Sequence, residues 1–164
     1  MRIVECLLTI DDLDAFVARL GEIGEAHGVT VQAFDARYIV DRAHLQKAIE
    51  LADRAFERGE NIADDRAVEI LLYAAGRRQI NRALELGVDT GGCPAVIVID
   101  GDGDEAAAAD AIRELDVYEA AETLGEYDPA RVREWFNVGE AELATGADLS
   151  ELVRERVALL VVEK

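Results

Sequence analysis

The chain has 164 residues, 51% of them hydrophobic, and a formal net charge of -18. This composition predicts one domain, residues 1–164, with a packed core, and it excludes a chain that is disordered throughout. Two cysteines are too few for a disulfide scaffold, and no apolar run reaches the ~18 residues of a membrane span, so we expect a cytoplasmic protein with reduced thiols and no membrane contact.

The first third of the chain predicts two strands and two helices. Arg2 to Ile10 is rich in β-branched and leucine residues and is expected to form a strand. The acidic pair that follows can cap a helix, which continues with apolar residues at helical spacing as far as Gly28. Val29 to Phe34 alternates and predicts a second strand. The next helix is expected to begin after Asp41 and to end at Gly59.

The rest of the chain predicts more helices and two more strands. Ala67 to Ala75 is expected to be helical, and its apolar stripe resumes after Gly76. Ala95 to Asp100 is an apolar run typical of a central strand, several helices follow it, and Val157 to Glu163 predicts a last strand. The whole pattern indicates an α/β fold: a single domain with a mixed β-sheet of about four or more strands, flanked by about six helices.

No set of residues makes a convincing catalytic, metal-binding or cofactor-binding motif. Cys93 is expected in a turn, and a nucleophilic cysteine needs a base, usually histidine. The two histidines, His27 and His44, each lie at or near a predicted helix end, where a solvated capping role is common. We therefore predict a protein that is not an enzyme and holds no metal or cofactor, with a small cytosolic enzyme using Cys93 as an alternative.

Basic residues are concentrated in "EILLYAAGRRQINRALELG", residues 69–87. On a continuous helix Arg78 and Arg82 share a face, while Arg77 points ~100° away. Pairing of Arg82 with Glu85 on an ordinary surface helix would explain part of this cluster. The other explanation is a site for phosphates or carboxylates, which the guanidinium fork binds through two hydrogen bonds.

The segment from Phe34 to Val88, "FDARYIVDRAHLQKAIELADRAFERGENIADDRAVEILLYAAGRRQINRALELGV", resembles the kinase-binding subunit of the KEOPS complex. The end of the chain, "LVRERVALLVVE", also resembles the C-terminal helix and strand of that family. The resemblance implies a non-enzymatic accessory subunit that binds an atypical protein kinase, stimulates its ATPase activity and meets the other KEOPS subunits only indirectly. It also implies binding of tRNA, including the 3′ CCA end, in support of threonylcarbamoyladenosine modification.

The same resemblance assigns the candidate site residues. Arg77, Arg78, Gln79 and Arg82 match the basic block of the family and are expected to contact tRNA phosphates or the CCA bases. Asn61, in the "NIA" turn, is a weaker candidate, because a role as the cap of the following helix explains it better. A protein-interaction module without RNA binding, whose arginines pair with carboxylates of a partner, remains an alternative.

Two aromatic residues, Trp135 and Phe136, are the candidates for binding a protein partner. They are adjacent on a predicted helix, so both can hardly face the same core. Burial with partial exposure would explain them, and the alternative is that one of them anchors the kinase.

The charge pattern is typical of proteins from salt-loving archaea. Only Lys47 and Lys164 are lysine among 17 basic residues, against 35 acidic ones. At 1 M salt the Debye length is ~3 Å, so long-range attraction to RNA would be nearly absent. We expect bidentate arginine contacts and base stacking to supply the affinity instead.

Overall fold

The computed structural model describes residues 1–163. A four-stranded sheet forms the centre of this part of the protein. In chain order the strands are β1 (Arg2–Ile10), β2 (Thr30–Asp35), β3 (Gly91–Asp100) and β4 (Tyr118–Ala120). They lie in the order β2-β3-β1-β4, and each neighbouring pair is antiparallel. The α/β class and the number of strands are confirmed, but the sheet within the described residues is antiparallel and not mixed.

Helices cover both faces of this sheet. Within residues 1–163 they are α1 (Leu13–His27), α2 (Arg42–Arg58), α3 (Arg66–Ala75), α4 (Ile80–Ala83), α5 (Glu105–Arg113), α6 (Pro129–Trp135), α7 (Glu140–Ala144) and α8 (Leu149–Glu163). One apolar core joins the sheet to α1 and α5, and a larger one joins the opposite face to α2, α3, α6 and α8. The described chain thus holds eight helices, where the sequence predicted about six.

Strand β3 contributes to both cores. Val96 and Val98 pack with α2, α3 and α8, whereas Ile97 and Ile99 pack with α1 and α5. A strand buried on both faces needs apolar residues at every position, so the predicted central strand is confirmed.

The same strand begins earlier than predicted and includes Cys93 and Pro94, which were expected in a turn. Strand β2 pairs with β3 only from Ala95 onward, so Pro94 lies where β3 has β1 as its neighbour and β2 does not reach. A proline without an amide hydrogen is tolerated at such a position.

The last predicted strand is wrong, because Val157 to Glu163 belongs to α8. Leu152, Val153, Val157 and Leu160 are buried at helical spacing, and α8 contacts α2 and α3. Packing on one helical face outweighs the preference of valine for strands, which is weak and depends on context. Among residues 1–163 none of the helices, α8 included, combines the length and the apolar character that crossing a bilayer requires.

His44 lies in the larger core, which contradicts the solvated capping role predicted for it. Its Nε2 is 2.8 Å from the carbonyl oxygen of Ala74, and its Nδ1 is 3.4 Å from the amide nitrogen of Val40. These partners require a neutral ring that donates from Nε2 and accepts at Nδ1. The ring also meets Phe136 edge to face, with ring centroids 5.6 Å apart.

Acidification is expected to destabilise the fold through this ring. Burial lowers the pKa of His44 below 6.5, its value in an unfolded chain, so the folded protein takes up this proton less readily. The neutral ring of His44 therefore contributes fully to the free energy of unfolding above pH 6.5, and this contribution decreases as the pH falls below that value. We expect the urea concentration at the midpoint of unfolding to decrease as the pH is lowered from about 7.5 to about 5.5. The decrease is expected to be smaller in His44→Gln than in the control His27→Gln, which retains the buried ring. An equal fall in both variants would contradict this assignment.

Candidate nucleic-acid interface

The predicted helix of residues 67–75 is confirmed, and the chain leaves the helical path after it. Helix α3 ends at Ala75, and Gly76 adopts φ +63°, the left-handed conformation that terminates helices. The amides of Gly76 and Arg77 bond back to the carbonyls of Tyr73 and Leu72, and α4 begins only at Ile80. The idea of one continuous helix is therefore wrong, and residues 77–79 form a link with its own geometry.

Arg77 turns from this link towards α6. Its guanidinium carbon lies 4.4 Å from the centroid of the Trp135 ring, within the range of a cation–π interaction. The guanidinium donates to the carbonyl oxygens of Ala75, Gly76 and Trp135. The side chain is therefore held by backbone carbonyls and an aromatic ring.

Arg78, Gln79 and Arg82 are exposed. Within the described part of the chain, the side chains of Arg78 and Arg82 form no ion pair or hydrogen bond. The pairing of Arg82 with Glu85 that the sequence suggested is not formed, because Glu85 accepts a hydrogen bond of 3.1 Å from the hydroxyl of Tyr38. Arg78 and Arg82 thus face solvent, as contacts with an anion require.

A cleft of about 640 Å³ lies beside the link, and we call it the arginine–aromatic cleft. It is lined by Tyr38, Arg77, Arg82, Glu85, Asp128, Ala130, Arg131, Glu134 and Trp135. The rings of Tyr38 and Trp135 meet edge to face at 5.9 Å, and Arg131 lies 5.9 Å from the Tyr38 ring. Three arginines balance three carboxylates here, although the whole chain carries a charge of -18.

Asn61 lies away from this cleft. It precedes α3, whereas Arg77 follows it, and ten helical residues span ~15 Å. The capping role considered for Asn61 is also wrong, because Asp65 caps α3 through the amide of Ala67. The amide group of Asn61 donates to the carbonyl of Ala63.

Trp135 and Phe136 are both buried, 9% and 2% exposed, in the same core. The expectation that they could hardly face one core is wrong, because α6 ends at Trp135 and the backbone then leaves the helical path. Phe136 has ψ +3° and Asn137 has φ +54°. The indole of Trp135 donates to the carbonyl of Ala75 at 2.9 Å, and one part of the ring still lines the cleft.

A second cleft, of about 710 Å³, lies between α1, β2 and the start of α3 and is a poorer candidate for RNA. Arg66 donates there to the carboxylates of Asp53 and Asp100, and the bonds to Asp53 are the main reason why its pKa lies above the usual range. Glu25, Asp65 and Asp102 also line this cleft. Its arginine is therefore engaged by carboxylates, and the surroundings are acidic.

The geometry argues against a cysteine nucleophile. Cys93 is buried in β3, and burial is the main cause that raises the pKa of its thiol. Cys6 lies in the same core, where burial raises its pKa to about 12. A thiolate, the reactive form of cysteine, is disfavoured at both positions.

Sequence reasoning gave no role to five members of the cleft, because they come together only in the fold: Tyr38, Asp128, Ala130, Arg131 and Glu134. Tyr38 follows β2, while Arg131 lies on α6, far away along the chain. It also missed Glu69, a fully buried carboxylate that accepts from the amides of Ile62 and Ala63. Glu69 thereby fixes the "NIA" turn, for which Asn61 was the only candidate residue considered.

A family model described as "Kinase binding protein CGI-121" matches residues 18–160, which is most of the chain. A search of curated proteins found no match to this chain. The matched range includes the link, the cleft, Trp135 and Phe136.

Proposed function

Because the chain belongs to the CGI-121 family of kinase-binding proteins, we propose that it is the accessory subunit of a KEOPS complex. In this role it binds and stimulates the atypical kinase subunit and binds tRNA at the 3′ CCA end. It thereby supports threonylcarbamoyladenosine modification without performing the chemistry. The family match carries the kinase-binding part of the proposal, and the exposed arginines support the tRNA part.

Binding to the kinase is the direct test of the first part. We expect the purified chain, in molar potassium chloride, to form a complex with the KEOPS kinase of its own source organism and to raise its rate of ATP hydrolysis. Size-exclusion chromatography and a coupled ATPase assay measure the two effects. A chain that neither comigrates with the kinase nor changes its ATPase rate would contradict this role.

The exposed basic segment and the aromatic rings beside it support RNA as the second partner. Arg78, Gln79 and Arg82 are exposed along one short segment, and Arg82 reaches the arginine–aromatic cleft. Single-stranded nucleic acid is commonly bound by cationic groups together with aromatic stacking surfaces. Both kinds of group occur here, and their contacts are short-range, so they retain strength where salt screens distant charges.

Reversing two of these charges is expected to weaken tRNA binding. Arg78→Glu with Arg82→Glu removes two exposed cationic contacts, and we expect ~30-fold lower affinity in a filter-binding or anisotropy assay. The matched control is Arg19→Glu with Arg113→Glu, which changes the net charge equally. These two arginines are 50% and 45% exposed and lie on α1 and α5, across the sheet.

The control pair separates local contacts from overall charge. The proposal expects near wild-type affinity in Arg19→Glu with Arg113→Glu, and weaker binding of tRNA that lacks the CCA end. Equal affinity for tRNA in both double variants would remove the arginine site. Absence of any RNA binding would favour the module that only binds proteins.

A further inference from the structure

We propose that the second cleft binds an extended, arginine-bearing segment of a protein partner, which adds to the sheet as a further strand at the free edge of β2. The cleft is separate from the arginine–aromatic cleft, so its occupation does not depend on the proposed binding of tRNA. The register of the sheet, the open wall of α1 and the charge of the cleft carry this inference.

The register decides which backbone groups of β2 face outward, because successive residues of an antiparallel strand direct their amides and carbonyls to opposite sides. Thr9 of β1 donates to the carbonyl of Val117, away from β3, so the odd-numbered residues of β1 point outward. Even-numbered residues of β3 stand opposite them and therefore bond to β2. Since these residues face even-numbered residues of β2, the odd-numbered residues of β2 direct their backbone groups to the free edge.

Val31 is the position at which this edge is open. It lines the cleft, and within residues 1–163 its outward amide and carbonyl form no hydrogen bond. Two residues further on, the carbonyl of Ala33 already accepts a bond of 2.8 Å from the side chain of Gln32. An extended chain in the cleft can therefore exchange a pair of hydrogen bonds with Val31, which is how peptides add to an exposed sheet edge.

The α1 wall of the cleft leaves room for the side chains of such a segment. Gly21 and Gly24 belong to this wall, and a Cβ added at Gly21 would meet nothing within 4 Å. A Cβ at Gly24 would stand 2.7 Å from the carbonyl oxygen of Val29, so helix and strand touch there and the open space lies beside Gly21. The volume of about 710 Å³ is within the ~300–1,000 Å³ that is usual for ligand pockets.

The charge of the cleft favours a cationic segment. One arginine, Arg66, lines it together with five carboxylates, those of Glu25, Asp53, Asp65, Asp100 and Asp102. Arg66 is already engaged by Asp53 and Asp100. Glu25 and Asp102 are exposed, and within the described part of the chain their side chains form no ion pair or hydrogen bond. An arginine of the partner can bind a carboxylate through two short hydrogen bonds, which molar salt screens less than distant charges.

The probe is a labelled, end-capped hexapeptide of alternating arginine and threonine, titrated in molar potassium chloride and followed by fluorescence anisotropy. As a strand it presents all its arginines on one face. We expect this peptide to bind, and the peptide with glutamate in place of arginine to bind at least ~10-fold more weakly.

Two methylated forms of the peptide test the backbone contact. Methylation of the three arginine amides and methylation of the three threonine amides block opposite edges of the strand. Because only one edge of the peptide can meet β2, we expect one form to bind like the parent and the other at least ~10-fold more weakly.

Variants of the protein test the edge and the wall separately. Val31→Pro removes an amide that the ladder to β3 does not use, and a proline is tolerated at such an edge position, so we expect ~10-fold weaker peptide binding by a protein with unchanged circular dichroism. Gly21→Leu fills the open space and is expected to weaken binding by ~10-fold as well, independently of the edge. The matched control is Ala26→Leu, which is exposed on the same helix and points ~140° away from Gly21.

The carboxylates are tested in the same assay. Glu25→Gln with Asp102→Asn is expected to weaken the arginine peptide by ~5-fold and to leave the glutamate peptide no weaker. The control is Glu22→Gln with Asp110→Asn, which changes the net charge equally at side chains 68% and 76% exposed outside the cleft. Equal effects of the two pairs would reduce the charge preference to the net charge of the chain and overturn the arginine-bearing partner.

The remaining outcomes identify other occupants. Equal binding of both methylated peptides, or wild-type binding by Gly21→Leu, overturns the added strand. A dimer in size-exclusion chromatography that Val31→Pro abolishes would assign the edge to a second copy of the chain, and displacement of the peptide by tRNA would assign the cleft to RNA. Either result overturns the proposal.

Discussion

Replacing Trp135 with alanine is expected to lower the free energy of unfolding by about 3–5 kcal/mol, the usual range for a buried tryptophan. The change removes the ring on which Arg77 is stacked and the hydrogen bond to Ala75, and it leaves a space beside Tyr38. Urea unfolding followed by circular dichroism measures the loss, because the variant has no tryptophan fluorescence.

The variant Trp135→Phe keeps an aromatic ring at this position. It removes the Nε1 donor together with part of the fused ring system, so we expect a smaller loss than in the alanine variant, about 1–2 kcal/mol. The carbonyl of Ala75 still receives a longer bond from Arg77. A loss below about 1 kcal/mol in the alanine variant would contradict the packing described for α6.

Replacing Gly103 with alanine is expected to cost about 3 kcal/mol, although the residue lies in a surface loop. An added Cβ would stand 1.9 Å from the carbonyl oxygen of His27 and 2.7 Å from that of Gly28. Both obstacles are backbone atoms, and the amide of Gly103 is itself bonded to Gly28 at 3.1 Å. The loop must therefore move away from the end of α1, which thermal or urea unfolding would register.

Gly21, in the middle of α1, is the matched control. A Cβ there meets nothing within 4 Å, so alanine is expected to stabilise the protein by about 0.5–1 kcal/mol through its better helix propensity. The two substitutions are chemically identical, and opposite signs are expected. A destabilising effect of similar size at both positions would contradict the close approach of the loop to α1.

Local signals account for the parts of the fold that the sequence predicted. Asp12 and Asp41 cap α1 and α2 through the amides three residues on, and Gly28 and Gly59 end these helices in the left-handed conformation. The apolar run of β3 was equally visible, because a strand buried on both faces has no polar positions. Each of these features depends on a few neighbouring residues.

The predictions that were wrong depended on contacts between distant segments. The valines of α8 resemble a strand until α2 and α3 supply a helical packing surface. Trp135 and Phe136 share one core because the backbone turns between them. The stacking of Arg77 on Trp135, 58 residues further along the chain, was likewise not predicted, and its expected contact with tRNA stays a prediction.

The last turn of α3 is held by side chains from two other helices. His44 of α2 bonds to the carbonyl of Ala74, and Trp135 of α6 bonds to that of Ala75. The segment that carries Arg78 and Arg82 thus begins at a fixed point, so its backbone has little conformational freedom left to lose in the proposed contact with tRNA. The conformational entropy lost in that proposed contact is then mainly that of the two long side chains, at ~2 kcal/mol each.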